Sequence, residues 1–267
     1  MEPLHILLLL LAGIITGFLA GFFGIGGGIL LVPVLLTFFQ AIGVSSLVAT
    51  HLTFGTSLFI TIFTALSSAT EYTRNGHVHW KGVLWLGPAS IAGAWIGTWI
   101  AGGLEGKFLQ QIFAVVVIIA AVRMLAERRL QKQEASMRDA APGLLATGGV
   151  VGIIAPLAGV GGGVVSIPLM YSVLHFPLKK ALGTSSATIV ITALAATIGY
   201  AVRGYGNPLL PDYTFGYVAY LYAVPLMVGA LPMARVGART AHRSNVTRLR
   251  RFFAVLLLVV AAKLLFL

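Results

Sequence analysis

The chain has 267 residues, of which 58% are hydrophobic and 9% are charged, and its mean hydropathy is +0.96. A soluble domain carries about 25% charged residues, so this composition excludes a water-soluble globular fold and favours an integral membrane protein. The formal net charge of +11 fits the positive-inside rule of membrane proteins, and we expect a lipid bilayer rather than nucleic acid as the partner. The absence of cysteine excludes disulfides, thiolate metal sites and a cysteine nucleophile.

Ten apolar segments follow one another, and their helix-like lengths favour an α-helical bundle over a β-barrel. We expect the first to be a membrane segment, because no basic region or cleavage site marks it as a signal peptide. The second and seventh have 13 residues, about 20 Å of helix, and are too short for a hydrocarbon core of about 30 Å. The predicted segments are 4–23, 28–40, 46–69, 82–101, 107–125, 143–157, 163–175, 181–201, 214–234 and 249–267.

Two glycine runs separate these segments at matching places. Gly24–Gly28 lies between the first two segments and Gly159–Gly163 between the sixth and seventh, and a proline follows five residues after each run. These landmarks recur 135 positions apart, and seven of the nineteen residues in 17–35 are identical in 152–170. Glycine permits sharp turns and close backbone contacts where a Cβ would clash. We interpret both runs as the tips of helix pairs, either re-entrant or fully spanning.

The matches continue past the glycine runs and predict a duplication with five segments in each copy. We align Ala49–Leu52 with Gly183–Ser186 in the third segments. The N-terminal repeat is 1–126 and the C-terminal repeat is 143–267, joined by a cytoplasmic linker at 127–142. With inverted copies, fifteen Lys and Arg residues lie in the cytoplasm and three outside, as the positive-inside rule requires. Both termini are then predicted to face the periplasm.

Inverted repeats with interrupted helices near the bilayer midplane are typical of secondary transporters, whose substrates bind between the repeats. A helix that starts inside the membrane presents unpaired N–H groups and a partial positive charge, which favours a small anion. Buried hydroxyls add hydrogen-bond donors without adding charge. In the competing interpretation the glycines only allow close helix packing. The predicted substrate-binding residues are Gly24, Gly26, Gly27, Gly28, Thr50, His51, Thr53, Gly159, Gly161, Gly162, Gly163, Thr184, Ser185 and Ser186.

His51 is the ionisable residue well inside an apolar segment near this cluster, and we expect it to bind the anion or to carry a coupling proton. A hydrogen-bonded structural histidine is the alternative.

An intramembrane hydrolase would use Ser57, Ser185 or Ser186 with a histidine, but the chain shows no G-x-S-x-G elbow at Gly183–Ser186. An anion channel with the same site also stays open. We predict that the protein is not an enzyme and has no cofactor and no metal site.

Several of these features resemble the TauE/SafE sulfite exporter family of membrane permeases. They are the duplicated glycine runs with their prolines, the segments at 49–52 and 183–186, and the small-residue run at 87–97. The resemblance covers nearly the whole chain and implies export of sulfite or of an organosulfonate such as sulfoacetate. We therefore expect a proton-coupled, alternating-access exporter of the bacterial inner membrane, with a homodimer as a possible assembly. One departure is His51, where the resemblance leads us to expect the serine seen at Ser185.

Overall fold

A computed structural model describes residues 3–126 and 137–243, together with Val255 and Leu258. Most of the predicted linker 127–142 and of the predicted tenth segment 249–267 lies outside the described residues. The helical segment that begins at Gly163 ends in a π-helical turn, Leu169–Val173. Within the two ranges the helices are α1 (Pro3–Phe23), α2 (Gly28–Ala41), α3 (Ser46–Arg74), α4 (Trp80–Gly102), α5 (Gly106–Ala126), α6 (Ala141–Ala158), α7 (Gly163–Pro168), α8 (Leu178–Arg203) and α9 (Tyr220–Arg243).

Six of the described helices, namely α1, α3, α4, α6, α8 and α9, are long and apolar enough to cross a bilayer. The described ranges contain no β-strand beyond an isolated bridge between Phe215 and Val218, so the predicted all-α polytopic architecture is confirmed. α2 and the segment Gly163–Val173 are shorter, as predicted for half-length helices. α9 begins at Tyr220 rather than at 214, because residues 215–218 turn back around Gly216, whose φ is +54°.

α1 and α2 form a hairpin whose outer ends lie side by side. The His5 ring, near the start of α1, has its centroid 5.4 Å from that of Phe38, near the end of α2. At the far end of α1, the Gly21 carbonyl accepts a 3.1 Å hydrogen bond from the Tyr72 hydroxyl of α3. The chain therefore runs along α1, turns through the glycines and returns along the shorter α2 to the end where it started.

α6 and α7 repeat this arrangement. Arg138, shortly before α6, donates its backbone N–H to the Leu174 carbonyl at 2.8 Å, so the outer ends of this hairpin are also adjacent. The Pro156 carbonyl accepts a 2.9 Å hydrogen bond from the Tyr200 hydroxyl of α8. Pro156 stands 135 positions after Gly21, so Tyr200 takes the place that Tyr72 has in the first hairpin. Both glycine runs are thus tips of helix pairs that return to their starting end.

The central helices of the bundle are α3 and α8, which are the most buried of the spans. α9 packs on α3 and α4 packs on α8, while α1 packs on α9 and α6 on α4. The contact of α1 with α9 therefore corresponds to that of α6 with α4. We call the end of the bundle where α4 begins the His79 end, and the opposite end, where α9 begins, the Tyr217 end.

Small residues line the two outer seams of the bundle. α1 presents a glycine to the backbone of α9 on successive turns, and α6 presents glycines to α4 in the same manner. None of these glycines has room for a Cβ, and such close packing drives the association of membrane helices. The contacts are Gly13 with Leu226, Gly17 with Ala230, Gly21 with Ala234, Gly148 with Leu86 and Gly152 with Ser90.

Candidate functional site

The two glycine turns have the same backbone conformation. Gly27 precedes α2 with a φ of +91°, and Gly162 precedes α7 with a φ of +92°. Gly24 and Gly159 both have a φ of +63°. Residues with a Cβ rarely adopt such left-handed values, so a side chain at any of these positions would strain the turn. The glycines therefore fix the points at which the two short helices begin.

The two turns meet at the middle of the bundle. A Cβ built on Gly28 would lie 2.6 Å from the Val160 Cα, and one built on Gly163 would lie 2.6 Å from the Ile25 Cα. Both distances are too short for any real side chain, so backbone packs directly on backbone here. The starts of α2 and α7 consequently face each other across this contact.

One residue from each central helix touches both turns. A Cβ on Gly26 or Gly161 would lie 2.6 or 2.7 Å from the Thr61 Cγ2 atom, and 3.1 or 3.0 Å from the Ile189 Cγ2 atom. Thr61 and Ile189 are buried, as are all residues of both glycine turns. The centre of the bundle is therefore closed to solvent from both ends in this conformation.

Hydroxyl groups of α3 bond to the carbonyls of both turns. Thr64 Oγ1 donates to the Gly26 carbonyl at 2.6 Å, and Ser57 Oγ donates to the Gly159 carbonyl at 3.0 Å. The Thr61 hydroxyl, between them on the helix, has no hydrogen-bond partner among the described residues. An unpaired buried hydroxyl costs about 1–3 kcal/mol, so a ligand that accepts its hydrogen bond would recover this free energy.

The electrostatic field at the turns originates in the backbone. The start of a helix carries about half a positive elementary charge, because its first N–H groups lack intrahelical acceptors. α2 starts at this contact, and so does the helical segment Gly163–Val173. Within the described ranges no three His, Asp or Glu side chains gather closely enough to hold a metal ion. The arrangement suits an anion that needs no counter-charge from a side chain.

The predicted residues of α8 lie on the side of the turns that faces the His79 end. Thr184 Oγ1 accepts the backbone N–H of His79 at 2.9 Å. The hydroxyls of Ser185 and Ser166, the latter from α7, are hydrogen-bonded at 2.7 Å. Ser186 Oγ donates to a carbonyl of its own helix at 3.0 Å. Ser185 therefore contacts the second hairpin directly, whereas the hydroxyl of Ser186 is engaged within α8.

Thr50, His51 and Thr53 of α3 lie on the opposite side, toward the Tyr217 end. Gln110 of α5 donates its side-chain N–H to Thr50 Oγ1 at 2.7 Å. The centroid of the His51 ring is 5.2 Å from that of Tyr217. Neither His51 Nδ1 nor Thr53 Oγ1 has a hydrogen-bond partner in the part of the chain that the structure describes.

The two groups of predicted residues do not form one cluster. His51 Nε2 lies 3.1 Å from the Ala101 carbonyl oxygen near the end of α4, whereas Thr184 bonds to His79 directly before α4 begins. Residue 101 follows residue 79 by 22 residues along α4, which corresponds to a helical rise of about 33 Å. The structure therefore places the predicted hydroxyls of α8 toward the His79 end and Thr50, His51 and Thr53 of α3 toward the Tyr217 end, on either side of the glycine turns.

One hydrogen bond recurs at both ends of the bundle. The backbone N–H of Ala219 donates to Thr56 Oγ1 at 2.9 Å, in the same way as His79 donates to Thr184 Oγ1. Ala219 directly precedes α9, and His79 directly precedes α4. Thr56 is therefore the structural counterpart of Thr184.

This equivalence corrects the alignment of the two third segments. Gly55–Ser57 and Gly183–Ser185 are the same Gly-Thr-Ser tripeptide at an offset of 128, so the pairing of the latter with Ala49–Leu52 is wrong. The offset falls from 135 to 128 because seven fewer residues connect the second glycine turn to its tripeptide. His51 accordingly is not the counterpart of Ser185. That counterpart is Ser57, so the serine expected from the family resemblance is present.

Sequence reasoning missed several hydroxyls near the turns as substrate-binding candidates, namely Thr56, Ser57, Thr61 and Thr64. The identical tripeptide was a sufficient signal for the first two. Thr61 carries no such signal, because its counterpart Ile189 is apolar. Its importance follows only from its contact with both turns.

The fold and this site define a polytopic helical membrane protein in which two returning hairpins meet tip to tip, an organisation typical of membrane transporters. The family model described as "Sulfite exporter TauE/SafE" matches residues 9–264. The chain belongs to the TauE/SafE family, as its motifs predict.

Proteins similar to this chain are named as transporters. A "Probable membrane transporter protein" of Haemophilus influenzae is 30% identical over 257 residues, which cover 96% of both chains. One from Methanocaldococcus jannaschii is 25% identical and covers 91% of this chain and 89% of its own. The YunE protein of Bacillus subtilis, of the same description, is 24% identical over 97% of both chains. No solved structure matches the chain. These names indicate a membrane transporter rather than an enzyme.

Proposed function

We propose that the protein is a secondary transporter that exports a small sulfur-containing anion, either sulfite or an organosulfonate such as sulfoacetate. The observation that carries this proposal is the meeting of the starts of α2 and α7 at the centre of the bundle. Two converging helix starts attract an anion, and the bare glycine backbone lets its oxygens reach the N–H groups. The description of the family as sulfite exporters supports the choice of substrate.

The proposed binding site is the space that forms when the two turns separate. At present Gly28 packs on Val160 and Gly163 packs on Ile25, so no oxyanion fits between them. Separation would expose N–H groups of both turns and the hydroxyl of Thr61, which together can surround a tetrahedral or pyramidal oxyanion. The N–H donors of this site belong to Gly26, Gly27, Gly28, Gly161, Gly162 and Gly163. Gly24 and Gly159 shape the turns instead, because their N–H groups donate to the Gly21 and Pro156 carbonyls at 3.3 Å and 3.1 Å.

The remaining predicted residues receive a different role in this proposal. Thr184, Ser185 and Ser186 line the route between the turns and the His79 end. Thr50, His51 and Thr53 line the route to the Tyr217 end. A substrate would then meet these hydroxyls before or after the central site rather than all at once. Polar groups along a buried route offset part of the cost of removing an anion from water.

We place the His79 end in the cytoplasm. Cytoplasmic ends of membrane proteins are enriched in Lys and Arg, and the described residues follow this bias. Among the Lys and Arg side chains that the structure describes, two lie toward the Tyr217 end, Lys107 and Arg203. The basic residues at the His79 end are Arg74, Lys81, Arg138, Lys179, Lys180, Arg235 and Arg239. In this orientation the protein sits in the bacterial inner membrane and both termini face the periplasm.

We also propose that 1–126 and 143–267 are inverted repeats that open the site alternately to either side. The paired hairpins, the paired contacts of Tyr72 and Tyr200 and the pairing of Thr56 with Thr184 support this organisation.

His51 is the proposed proton carrier, because its imidazole is buried on the periplasmic route beside Tyr217. A hydrolase gains no support, since Ser57, Ser185 and Ser186 bond to other oxygens.

The test is uptake of labelled sulfite into liposomes that contain the purified protein, measured with and without a pH gradient. Saturable uptake that accelerates when the gradient is imposed supports a proton-coupled transporter. The variant His51→Gln should keep sulfite flux but lose its response to the gradient. Absence of flux for sulfite and for sulfoacetate would contradict the proposed substrate class. Flux of both without any effect of the gradient or of His51→Gln would contradict only the coupling.

A further inference from the structure

Two non-helical segments cross the ends of the bundle, and each is held by a glycine and a threonine of the facing central helix. At the His79 end the His77 carbonyl lies against Gly183, and the next threonine, Thr184, accepts the His79 N–H at 2.9 Å. A side chain at Gly183 would collide with that carbonyl, so the Gly-Thr pair both admits the segment and binds it.

The same construction closes the Tyr217 end. The Tyr217 carbonyl lies against Gly55, where a Cβ would also collide with it. The following residue, Thr56, accepts the Ala219 N–H at 2.9 Å. The two crossing segments, residues 77–79 and residues 217–219, are thus attached to α8 and α3 by equivalent backbone contacts.

Each attachment point lies one helical turn or less from a contact with a glycine turn. Leu182, two residues before Thr184, packs against Gly24. Phe54, two residues before Thr56, packs against Gly159. The crossing segments are therefore attached to α8 and α3 next to the residues that contact the two glycine turns, one at each end of the bundle. Release of one segment would thus open the bundle toward the turns from one end only.

We propose that these two threonine-to-backbone hydrogen bonds are the two gates of the transporter. This inference rests on the proposed transport function and identifies how access to its site is controlled. We call residues 77–79 with Thr184 the His79 gate, and residues 217–219 with Thr56 the Tyr217 gate. Both bonds are made in the structure, which is therefore the occluded state, and each open state breaks one bond and keeps the other.

The two gates use different side chains around the same backbone bond. At the His79 gate, Asp139 lies 3.2 Å from the Lys81 ammonium and 3.5 Å from His79 Nε2. At the Tyr217 gate, the Tyr217 ring packs on His51, and its hydroxyl accepts a 3.2 Å hydrogen bond from Asn207. The His79 gate is therefore sensitive to ionic strength, whereas the Tyr217 gate depends on aromatic packing.

The test uses single cysteines, because the chain has none of its own. The reporter Ser185→Cys lies behind the His79 gate and Ser57→Cys lies behind the Tyr217 gate. Each is combined with Thr184→Val or Thr56→Val, and a membrane-impermeant methanethiosulfonate reagent is applied to vesicles of either orientation. The control is Thr188→Val, since Thr188 Oγ1 donates only to the Thr184 carbonyl of its own helix in the described structure.

Thr184→Val should raise the labelling rate of Ser185→Cys from the His79 side about tenfold, because the hydrogen bond that holds this gate closed is lost. The rate for Ser57→Cys from the other side should stay within about twofold of the parent. Thr56→Val should raise the labelling rate of Ser57→Cys from the Tyr217 side about tenfold and leave the rate of Ser185→Cys within about twofold of the parent. Thr188→Val should change neither rate. Equal rates in Thr184→Val and Thr188→Val, or parallel increases at both ends, would overturn the assignment of the gates.

Two further variants protect this test against misfolding. Thr184→Ser keeps the hydroxyl acceptor and should label like the parent, whereas Gly183→Ala should open the same gate by collision with the His77 carbonyl. The labelling needs no substrate. Gate-specific labelling without sulfite flux would therefore retain the gates and reject the sulfur-anion proposal, while sulfite flux without gate-specific labelling would reject the gates alone.

Discussion

The duplication is kept more strictly in the two glycine turns than at the two ends of the bundle. Gly27 and Gly162 agree in φ to about a degree, and a Cβ built on either Gly28 or Gly163 would lie 2.6 Å from the opposing turn. At the ends the contacts of the Gly-Thr pairs with the crossing backbone agree, but the side chains around them differ.

This contrast indicates which parts of the molecule share a physical constraint. In the proposed mechanism both turns bind the substrate in every state, so both must present the same N–H groups. Each gate closes in only some states and faces a different compartment. The ionic cluster of Asp139 and the aromatic contact of Tyr217 with His51 can therefore serve the same purpose with unrelated side chains.

Adding one methyl group to either turn should have the strongest effect on transport. Gly28→Ala and Gly163→Ala should each reduce sulfite flux at least about a hundredfold, because the new Cβ would lie 2.6 Å from the opposing backbone. The matched control is Gly149→Ala in α6, where a Cβ would meet nothing within 4 Å. Proteoliposome uptake measures all three. A large loss in one turn and none in the other would contradict a symmetric site.

A second effect distinguishes the His79 end through stability. Glu71, a buried carboxylate of α3, pairs with Arg239 of α9 at 3.0 Å. Arg239→Ala leaves this carboxylate without its cation and should lower stability by about 1–2 kcal/mol, a modest value because the arginine is exposed to solvent. A lower melting temperature of the purified protein measures it. Arg235→Ala, which removes an exposed arginine of the same helix, should have little effect.

A smaller effect concerns salt. Raising the salt concentration to about 1 M shortens the Debye length to about 3 Å and weakens the contact of Lys81 with Asp139. Labelling of Ser185→Cys from the His79 side should then increase about twofold, while labelling of Ser57→Cys from the Tyr217 side should not change. An equal increase at both ends would show that the ionic cluster does not contribute specifically to the His79 gate.

A weaker effect still is the pH dependence of the contact between Asp139 and Lys81. The Lys81 ammonium, hydrogen-bonded to this carboxylate, lowers the pKa of Asp139 below its usual range. Its stabilising contact is therefore complete above the pKa of the unfolded chain and is lost as the pH falls through the folded pKa. The melting temperatures of the parent and of Asp139→Asn should converge as the pH is lowered from 5 to about 3. A constant difference would contradict the contact.

Features that are local in sequence could be predicted, and those that depend on connection length could not. The glycine turns follow from Gly24–Gly28 and its copy, because a conformation with positive φ needs glycine at fixed adjacent positions. The third segments were misaligned because the connection after Gly28 is seven residues longer than that after Gly163. The identical tripeptides were the better guide, since Gly-Thr performs one task at both ends.

Two other features depended on packing that no local pattern reports. Residues 214–219 are apolar enough to extend a predicted span, yet they turn around Gly216 and lie across the Tyr217 end. His51 was predicted to lie beside Thr184 and Ser185. Because α3 and α8 are antiparallel, however, equivalent residues of the two helices lie at the same level near Thr61 and Ile189 and move apart toward the helix ends. An antiparallel helix pair thus separates residues that a sequence alignment groups together.

In the proposed mechanism an anion binds between the two turns and is carried by alternating access. Counterflow distinguishes this mechanism from a channel. Proteoliposomes are loaded with unlabelled sulfite and diluted into labelled sulfite, in the absence of any pH gradient. Label should accumulate transiently above its equilibrium level, and this accumulation should be abolished by Gly28→Ala and retained in Gly149→Ala. Entry of label that never exceeds equilibrium, as through a channel, or no entry at all, would contradict this mechanism.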